Sequence, residues 1–268
     1  MQLPRVVAHR GSSLAVAEHT LAAYERAIAE GADALECDVR LTSDGHLVCL
    51  HDRTLSRTSD ARGLVSETTL EELHDADFGT WALALPDSAD ELVADERFVP
   101  VDRRVPVLEL SALLALIADC GRRVELFVET KHPTRYGGQV EQRLIELLAR
   151  HGMLRPHAPV TVMSFATSAL RRVRLLAPEL PRVQLMRKVP LLYRDGSLPL
   201  GANVAGPSIE ILRAHPRYVQ RVQATGRQVY VWTVDEPADI DLVIGLGVDA
   251  IITNRPADVL AYLGRQAS

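Results

Sequence analysis

Long hydrophobic runs, paired cysteines and a basic excess are all missing from this sequence of 268 residues. No segment approaches the ~18 consecutive apolar residues a membrane-spanning helix requires. The amino terminus runs straight into strand-like Val6-Val7-Ala8 without the layout of a signal peptide. A cytoplasmic location without stable membrane insertion is therefore expected. The cysteines, Cys37, Cys49 and Cys120, are three in number and lack Cys-x-x-Cys spacing, which argues against a disulfide framework and a zinc site and leaves reduced, buried thiols. A net charge of −5 lacks the strongly basic face that a nucleic-acid partner needs. Arg171, Arg172 and Arg174 do cluster, and read as a solvated helical face.

What remains is an ordinary globular composition, 47% apolar and 24% charged, long enough for a large core. Apolar, β-branched runs alternate with segments of helical period. The strand candidates are 5–9, 34–40, 124–131, 159–165, 182–187, 203–209, 228–234 and 250–253. The helical segments are 17–30, 105–120, 138–151, 167–176, 216–225, 238–246 and 257–263. Strands that alternate with helices pair in parallel, and this many units at this length predict a (β/α)₈ TIM barrel, α/β in class, rather than an open sheet. The fifth unit is the weakest: between Lys188 and Ala202 there is proline and glycine but no helical pattern, so a loop or a single turn is expected. One region breaks the rhythm. Residues 53–104 are polar and acidic, carry Phe78, Trp81 and Phe98, and read as an insertion into a single catalytic barrel domain spanning 1–268. A segment this long is expected to cap the site or to run over the surface.

Side chains alternate faces along a strand, so Glu36 and Asp38 point one way while Leu35, Cys37 and Val39 point the other; Glu129 pairs with Lys131 by the same argument. In a parallel barrel the carboxyl ends of the strands form the active face. Three acidic side chains converging there repel one another unless a cation sits between them, and all-oxygen ligands favour Mg²⁺ or Ca²⁺ over zinc. One divalent cation held by Glu36, Asp38 and Glu129 is therefore expected. His9 and His51 also follow apolar strands, and two imidazoles beside such a cluster suit an acid/base pair. Arg10, as a fork, and Lys131, as a point charge, suit phosphate oxygens.

Taken in order, His9-Arg10-Gly11, Glu18-His19-Thr20-Leu21, the run 31–39 through Glu36-Cys37-Asp38, the run 44–52 ending in His51-Asp52, and Arg57-Thr58 resemble the glycerophosphodiester phosphodiesterase family. So do Glu129-Thr130-Lys131, Ser164-Phe165, Val231-Trp232-Thr233-Val234-Asp235 and Thr253-Asn254-Arg255-Pro256. The resemblance covers essentially the whole chain. It implies a barrel enzyme that hydrolyses a small-molecule glycerophosphodiester to an alcohol and glycerol 3-phosphate with a divalent cation. Residues matching His9 and His51 are then the acid/base pair, those matching Glu36, Asp38 and Glu129 the metal ligands, those matching Arg10 and Lys131 the phosphate contacts, and that matching Trp232 the wall of the glycerol pocket.

The family commonly has Glu-Asn-Thr where this chain has Glu18-His19-Thr20, so Thr20 is expected to take over as helix cap, with His19 available to enter the site. The neighbouring alternatives are a phospholipase D-like phosphodiesterase, a metal-dependent sugar-phosphate isomerase and an inactive barrel serving as a binding module. The last would lack one of the seven polar residues named above, and none is missing.

Overall fold

Strands that are apolar on both faces must be covered on both sides, and this chain achieves that by closing its sheet. The computed structural model describes residues 3–83, 104–155 and 157–265. Its strands are β1 (Arg5–His9), β2 (Ala34–Leu41), β3 (Leu47–Cys49), β4 (Glu125–Thr130), β5 (Val160–Ser164), β6 (Arg182–Met186), β7 (Val204–Pro207), β8 (Gln228–Val231) and β9 (Ala250–Thr253). The sheet order is β1-β9-β8-β7-β6-β5-β4-β2-β3, and β1 also pairs with β2. Every pairing is parallel except β2 with β3, so eight strands form a closed TIM barrel and β3 is an antiparallel flap on β2. The helices are α1 (Leu21–Ala29), α2 (Leu70–His74), α3 (Leu110–Asp119), α4 (Gln139–Arg150), α5 (Thr167–Leu176), α6 (Ile209–Ala214), α7 (Arg217–Ala224), α8 (Pro237–Leu246) and α9 (Pro256–Tyr262). No helix among the described residues is long and apolar enough to cross a membrane.

The pleat sorts the core into layers. Val7, Ala34, Phe127, Met163, Val183, Tyr230 and Ile252 fill the barrel interior, while Leu35, Cys37 and Val39 face outward against Leu113, Leu114 and Leu144 of the surrounding helices. Phe127 stacks on Tyr230 with ring centroids 5.2 Å apart and plugs the barrel beneath the site. Cys37 and Cys49 are free and buried; Cys120, expected to be buried, is only half so.

Several boundaries differ from the sequence expectation. The first helix starts at Leu21, because Thr20 is extended and its hydroxyl caps the helix by accepting from the Ala23 N–H at 3.2 Å. The seventh strand ends at Pro207, and Ile209 already begins α6, which the apolar pattern had merged with the strand. The fifth connection contains only the 3₁₀ turn Leu191–Tyr193, as its proline and glycine content predicts.

The described part of the insertion has a small core of its own, in which Leu55, Val65, Leu73 and Phe78 pack on Val48 and Leu50. Helix α2 in it is held by a reciprocal capping box between Thr69 and Glu72. Phe98, the acidic run 87–96 and the rest of 84–103 lie outside the described residues.

Candidate active site

Register brings the acidic side chains together. Strand pairing sets His9 opposite Glu36 and Asp38 opposite Glu129, so the three carboxylates occupy adjoining rows on the inner face of the barrel. Each offers an oxygen, and these lie within 4.8 Å of one another. Glu36 and Asp38 sit in the middle of β2 and not at its end, as the sequence reading had them, because pairing with β3 carries the strand on to Leu41. All three are buried.

Positive charge surrounds this cup. The Lys131 ammonium lies 2.8 Å from Asp38 Oδ1 and 2.8 Å from Glu129 Oε1, and Arg10 Nε lies 3.0 Å from Asp38 Oδ2. Against the opposing effect of burial, Lys131, His19 and Arg10 hold the Asp38 carboxyl well below its usual range. Its neighbours are pushed the other way: burial, with the Asp38 charge next to it, raises Glu36 well above its ordinary value and Glu129 to about 7. When all three carboxylates are ionised, the two cations facing them leave the cup one positive charge short.

Arg10 reaches the cup through an unusual turn. Its φ is 61° and that of Gly11 is 85°. A Cβ on Gly11 would stand 2.7 Å from the Ala23 backbone, so only glycine lets the chain pass α1 at this point. A non-glycine residue held in the left-handed region is uncommon and concentrates at functional sites.

The two imidazoles have different supports. His9 Nδ1 lies 2.7 Å from Asn254 Oδ1. The Asn254 amide nitrogen in turn donates to Asp235 at 2.6 Å, and the Thr253 hydroxyl and the Asn254 backbone N–H donate to the other Asp235 oxygen at 2.8 Å each. The amide is thereby oriented with its oxygen toward His9, so Nδ1 carries the proton and Nε2 is left with a lone pair. Burial, reinforced by the Arg10 charge, takes the His9 pKa down to about 3. His51 Nδ1 instead meets a carboxylate, Asp52 Oδ1, at 2.6 Å. Asp52 is held by Arg57 at 2.6 Å, and Arg57 continues to Glu18 at 2.6 Å. Despite burial, these contacts keep Asp52 and Glu18 at about 2. Arg40 donates two hydrogen bonds to the His51 carbonyl, at 2.6 and 2.9 Å, and fixes the backbone there.

His9, His51, Glu36, Glu129, Arg10 and Lys131 line one pocket of about 90 Å³, together with Trp232, Phe165 and Arg187. Asp38 does not line it; fully buried, it is tied to the lining through Lys131 and Arg10. The Trp232 indole N–H donates to the Gly206 carbonyl at 2.7 Å, and its ring meets Phe165 edge-on at 5.4 Å. Of the residues expected at the site, all but Asp38 and His19 thus line this one pocket, and those two are in contact just behind it.

The profile of the glycerophosphoryl diester phosphodiesterase family matches residues 9–258. The chain belongs to that family. Among its curated relatives, the probable glycerophosphodiester phosphodiesterase 1 of Mycobacterium tuberculosis is 45% identical over 265 residues, covering 97% of this chain and 92% of its own. The glycerophosphodiester phosphodiesterase of Bacillus subtilis is 33% identical over 258 residues, 93% of this chain and 83% of its own. An Oleispira antarctica phosphodiesterase, solved in complex with the product sn-glycerol-3-phosphate, superposes with a TM-score of 0.83 at 26% identity, covering 98% of this chain and 97% of its own.

Within this family framework His19, which the sequence reading made available to the site, has a different place. His19 adopts φ 59° and turns away from the pocket; its Nε2 lies 3.0 Å from Asp38 and its Nδ1 2.8 Å from the Tyr24 hydroxyl. It is a buried support for Asp38. Asp235 and Asn254, which orient His9, stood in the quoted motifs without an assigned role, since neither pairs with anything nearby in sequence. Arg187 carried no motif at all.

Proposed function

We propose that this chain hydrolyses glycerophosphodiesters to an alcohol and glycerol 3-phosphate, with His9 as general base, His51 as general acid and one divalent cation, Mg²⁺ or Ca²⁺, at Glu36, Asp38 and Glu129. The observation that carries the reading is the single pocket that both imidazoles share with two of the carboxylates, Arg10 and Lys131. The donor set suits a hard cation: three buried carboxylates, oxygens only, which when all ionised carry one negative charge more than Arg10 and Lys131 balance. When bound, the ion supplies Lewis-acid polarisation of the phosphoryl group and neutralises charge on its oxygens.

The protein's own groups do the rest. Arg10 and Lys131 face the same pocket and receive the phosphate oxygens, where fixed charges cost no reorganisation as the negative charge redistributes. His9 Nε2, kept unprotonated by the Asn254 contact, takes the proton from the attacking hydroxyl. That hydroxyl belongs either to water or to C2 of the glycerol, and trapping of a cyclic phosphate distinguishes the two. His51 gives a proton to the departing alcohol oxygen, and Asp52 beside its Nδ1 stabilises the imidazolium this requires. Trp232 presents a flat apolar face to the glycerol carbons and is locked by Gly206 and Phe165.

The test is release of glycerol 3-phosphate from glycerophosphocholine by metal-stripped protein, titrated with Mg²⁺ and with Ca²⁺. The expected result is activity that vanishes with chelation and returns with the ion. Asp38→Asn should need at least about tenfold more metal for half-maximal activity. Full activity in the chelated enzyme would overturn the metal assignment.

A further inference from the structure

Outside the pocket, apolar side chains stand in water beside cations that have no acidic partner. The segment that follows β6 leaves the carboxyl end of that strand, the end of the barrel that carries the pocket, and makes the 3₁₀ turn Leu191–Tyr193 behind Pro190. Leu191 and Leu192 are 77% and 75% exposed there. Among the described large hydrophobic residues they are the one pair of sequence neighbours that both stand more than half in solvent. The segment is held from behind. Gly196, at φ 95°, lies where a Cβ would collide with the Arg221 backbone, and the Arg221 guanidinium donates to the Arg194 carbonyl at 2.9 Å. These contacts fix the segment on α7 and leave the two leucines no core to fold onto.

The same segment, with α6 and α7, encloses a cleft of about 650 Å³ whose lining carries five exposed cations, Arg187, Lys188, Arg194, Arg217 and Arg221. The turn lies between two lining residues, Val189 and Arg194, so leucines and cations share one stretch of surface. Among the described residues none of the five cations has a carboxylate partner. Two acidic side chains are near: Glu210 lines the cleft, and Asp195 is engaged in its own turn, accepting from the Ser197 backbone and hydroxyl at 2.9 and 2.7 Å. Positive charge is in excess here, on a chain whose net charge is −5. Arg187 also lines the catalytic pocket, its guanidinium 5.5 Å from the Phe165 ring centroid and 6.0 Å from that of Trp232, so the patch borders the pocket.

We infer that this patch docks the protein reversibly on an anionic lipid bilayer, its cations against the headgroups and Leu191 and Leu192 among the upper acyl carbons. The occupant follows from the pairing of two chemistries on one surface. Anionic headgroups account for the cations, and an interface that admits apolar side chains accounts for the leucines. A nucleic acid or a free phosphate would engage the first and leave the second in water. Each signal alone holds a protein weakly, and firm attachment needs both. Because the rest of the surface carries the negative excess, this is the face such a membrane attracts, and the pocket then opens beside the bilayer. No described helix enters the membrane in this arrangement. Docking goes beyond the hydrolytic reading and does not depend on it.

The experiment sediments the intact chain with vesicles of phosphatidylcholine alone and of phosphatidylcholine mixed with an equal part of phosphatidylglycerol, beside the double variants Arg217→Gln/Arg221→Gln and Leu191→Ser/Leu192→Ser. All four positions are exposed and lie outside the catalytic pocket. The unaltered protein should bind the anionic vesicles, ignore the neutral ones and come off with added salt. Each double variant should bind at least about tenfold more weakly. Melting temperature, and hydrolysis of glycerophosphocholine without vesicles, should match the unaltered protein, which shows that both variants fold. In Leu192→Trp the indole emission should shift to the blue on anionic vesicles. No sedimentation at low salt, or equal binding to both kinds of vesicle, overturns the inference. Full binding by the leucine variant with no shift in Leu192→Trp reduces the patch to a general anion site and overturns it as well. Self-association lost in the leucine variant, with no vesicle binding by the unaltered protein, would make the leucines an interface between two copies. Vesicle binding without hydrolysis of any diester would leave the docking face standing and remove the hydrolytic reading.

Discussion

The wall behind His9 and the wall behind His51 are built from different parts of the fold, and the proposed division of work between the two histidines rests on that difference. His9 stands on β1 and leans on the barrel's last turn, where Asn254 offers a neutral carbonyl and Asp235 keeps that carbonyl in place. His51 follows the antiparallel β3 and leans on the insertion, where Asp52 and Arg57 provide a charged pair. A neutral acceptor favours the uncharged ring, and a carboxylate favours the protonated one. Burial lowers both imidazoles below their ordinary pKa, but only His51 has a carboxylate at Nδ1 working against that shift, which is the asymmetry the proposed acid and base roles rest on.

The most severe way to break this contrast is to remove either ring. His9→Ala and His51→Ala should each cost about 10²- to 10⁴-fold in kcat, with melting temperature and metal affinity nearly unchanged; wild-type rates in either variant would take that residue out of the chemistry. A smaller and more informative change swaps the supports. Asp52→Asn removes the charge that favours His51 imidazolium, so the alkaline limb of the rate profile, where the acid loses its proton, should move to lower pH. Asn254→Asp adds a charge beside His9, so the acid limb, where the base becomes protonated, should move to higher pH. Limbs that stay in place would show that the partners do not set the roles.

The smallest effect is a control on the barrel flank. Glu141 is buried, with His132 Nε2 at 2.6 Å from one oxygen and Arg172 Nε donating at 2.7 Å to the other. Despite burial, those contacts hold its carboxyl below the ordinary value of 4.5. A group lowered in the folded state contributes stability that is complete above its unfolded value and is lost as pH falls toward the folded one. The acid side of the melting-temperature profile, below about pH 4.5, should therefore flatten in Glu141→Gln, while the limbs of the rate profile remain where they were.

How far the chain could be read without coordinates follows from how local each signal is. The alternation of Glu36, Cys37 and Asp38 is a property of three consecutive residues, and it placed the carboxylates on the inner face; the strand-helix rhythm placed their strand in a barrel. Thr20 as cap was legible for the same reason. What escaped depends on contacts between distant segments. Nothing near Asn254 or Asp235 in sequence marks them as supports of His9, because their partner lies at the other end of the chain. The merging of β7 with α6 has another cause: a buried strand is followed at once by a buried helix turn, so the apolar pattern runs on past Pro207 to Ile209 with only the small, buried Ser208 between them. Arg187 and the cations beyond it are scattered over 35 residues, and only the packing of α6 and α7 against the β6 loop puts them on one wall.

The hydrogen bond between His9 and Asn254 joins residues 245 positions apart. During synthesis the first of these leaves the ribosome early and waits, its ring unoriented, until the closing strand has emerged and docked. Under the proposed mechanism the catalyst is therefore silent for nearly the whole of its own translation, and a product cut short by even a few dozen residues at its carboxyl end should be inert however much of the cylinder it has formed.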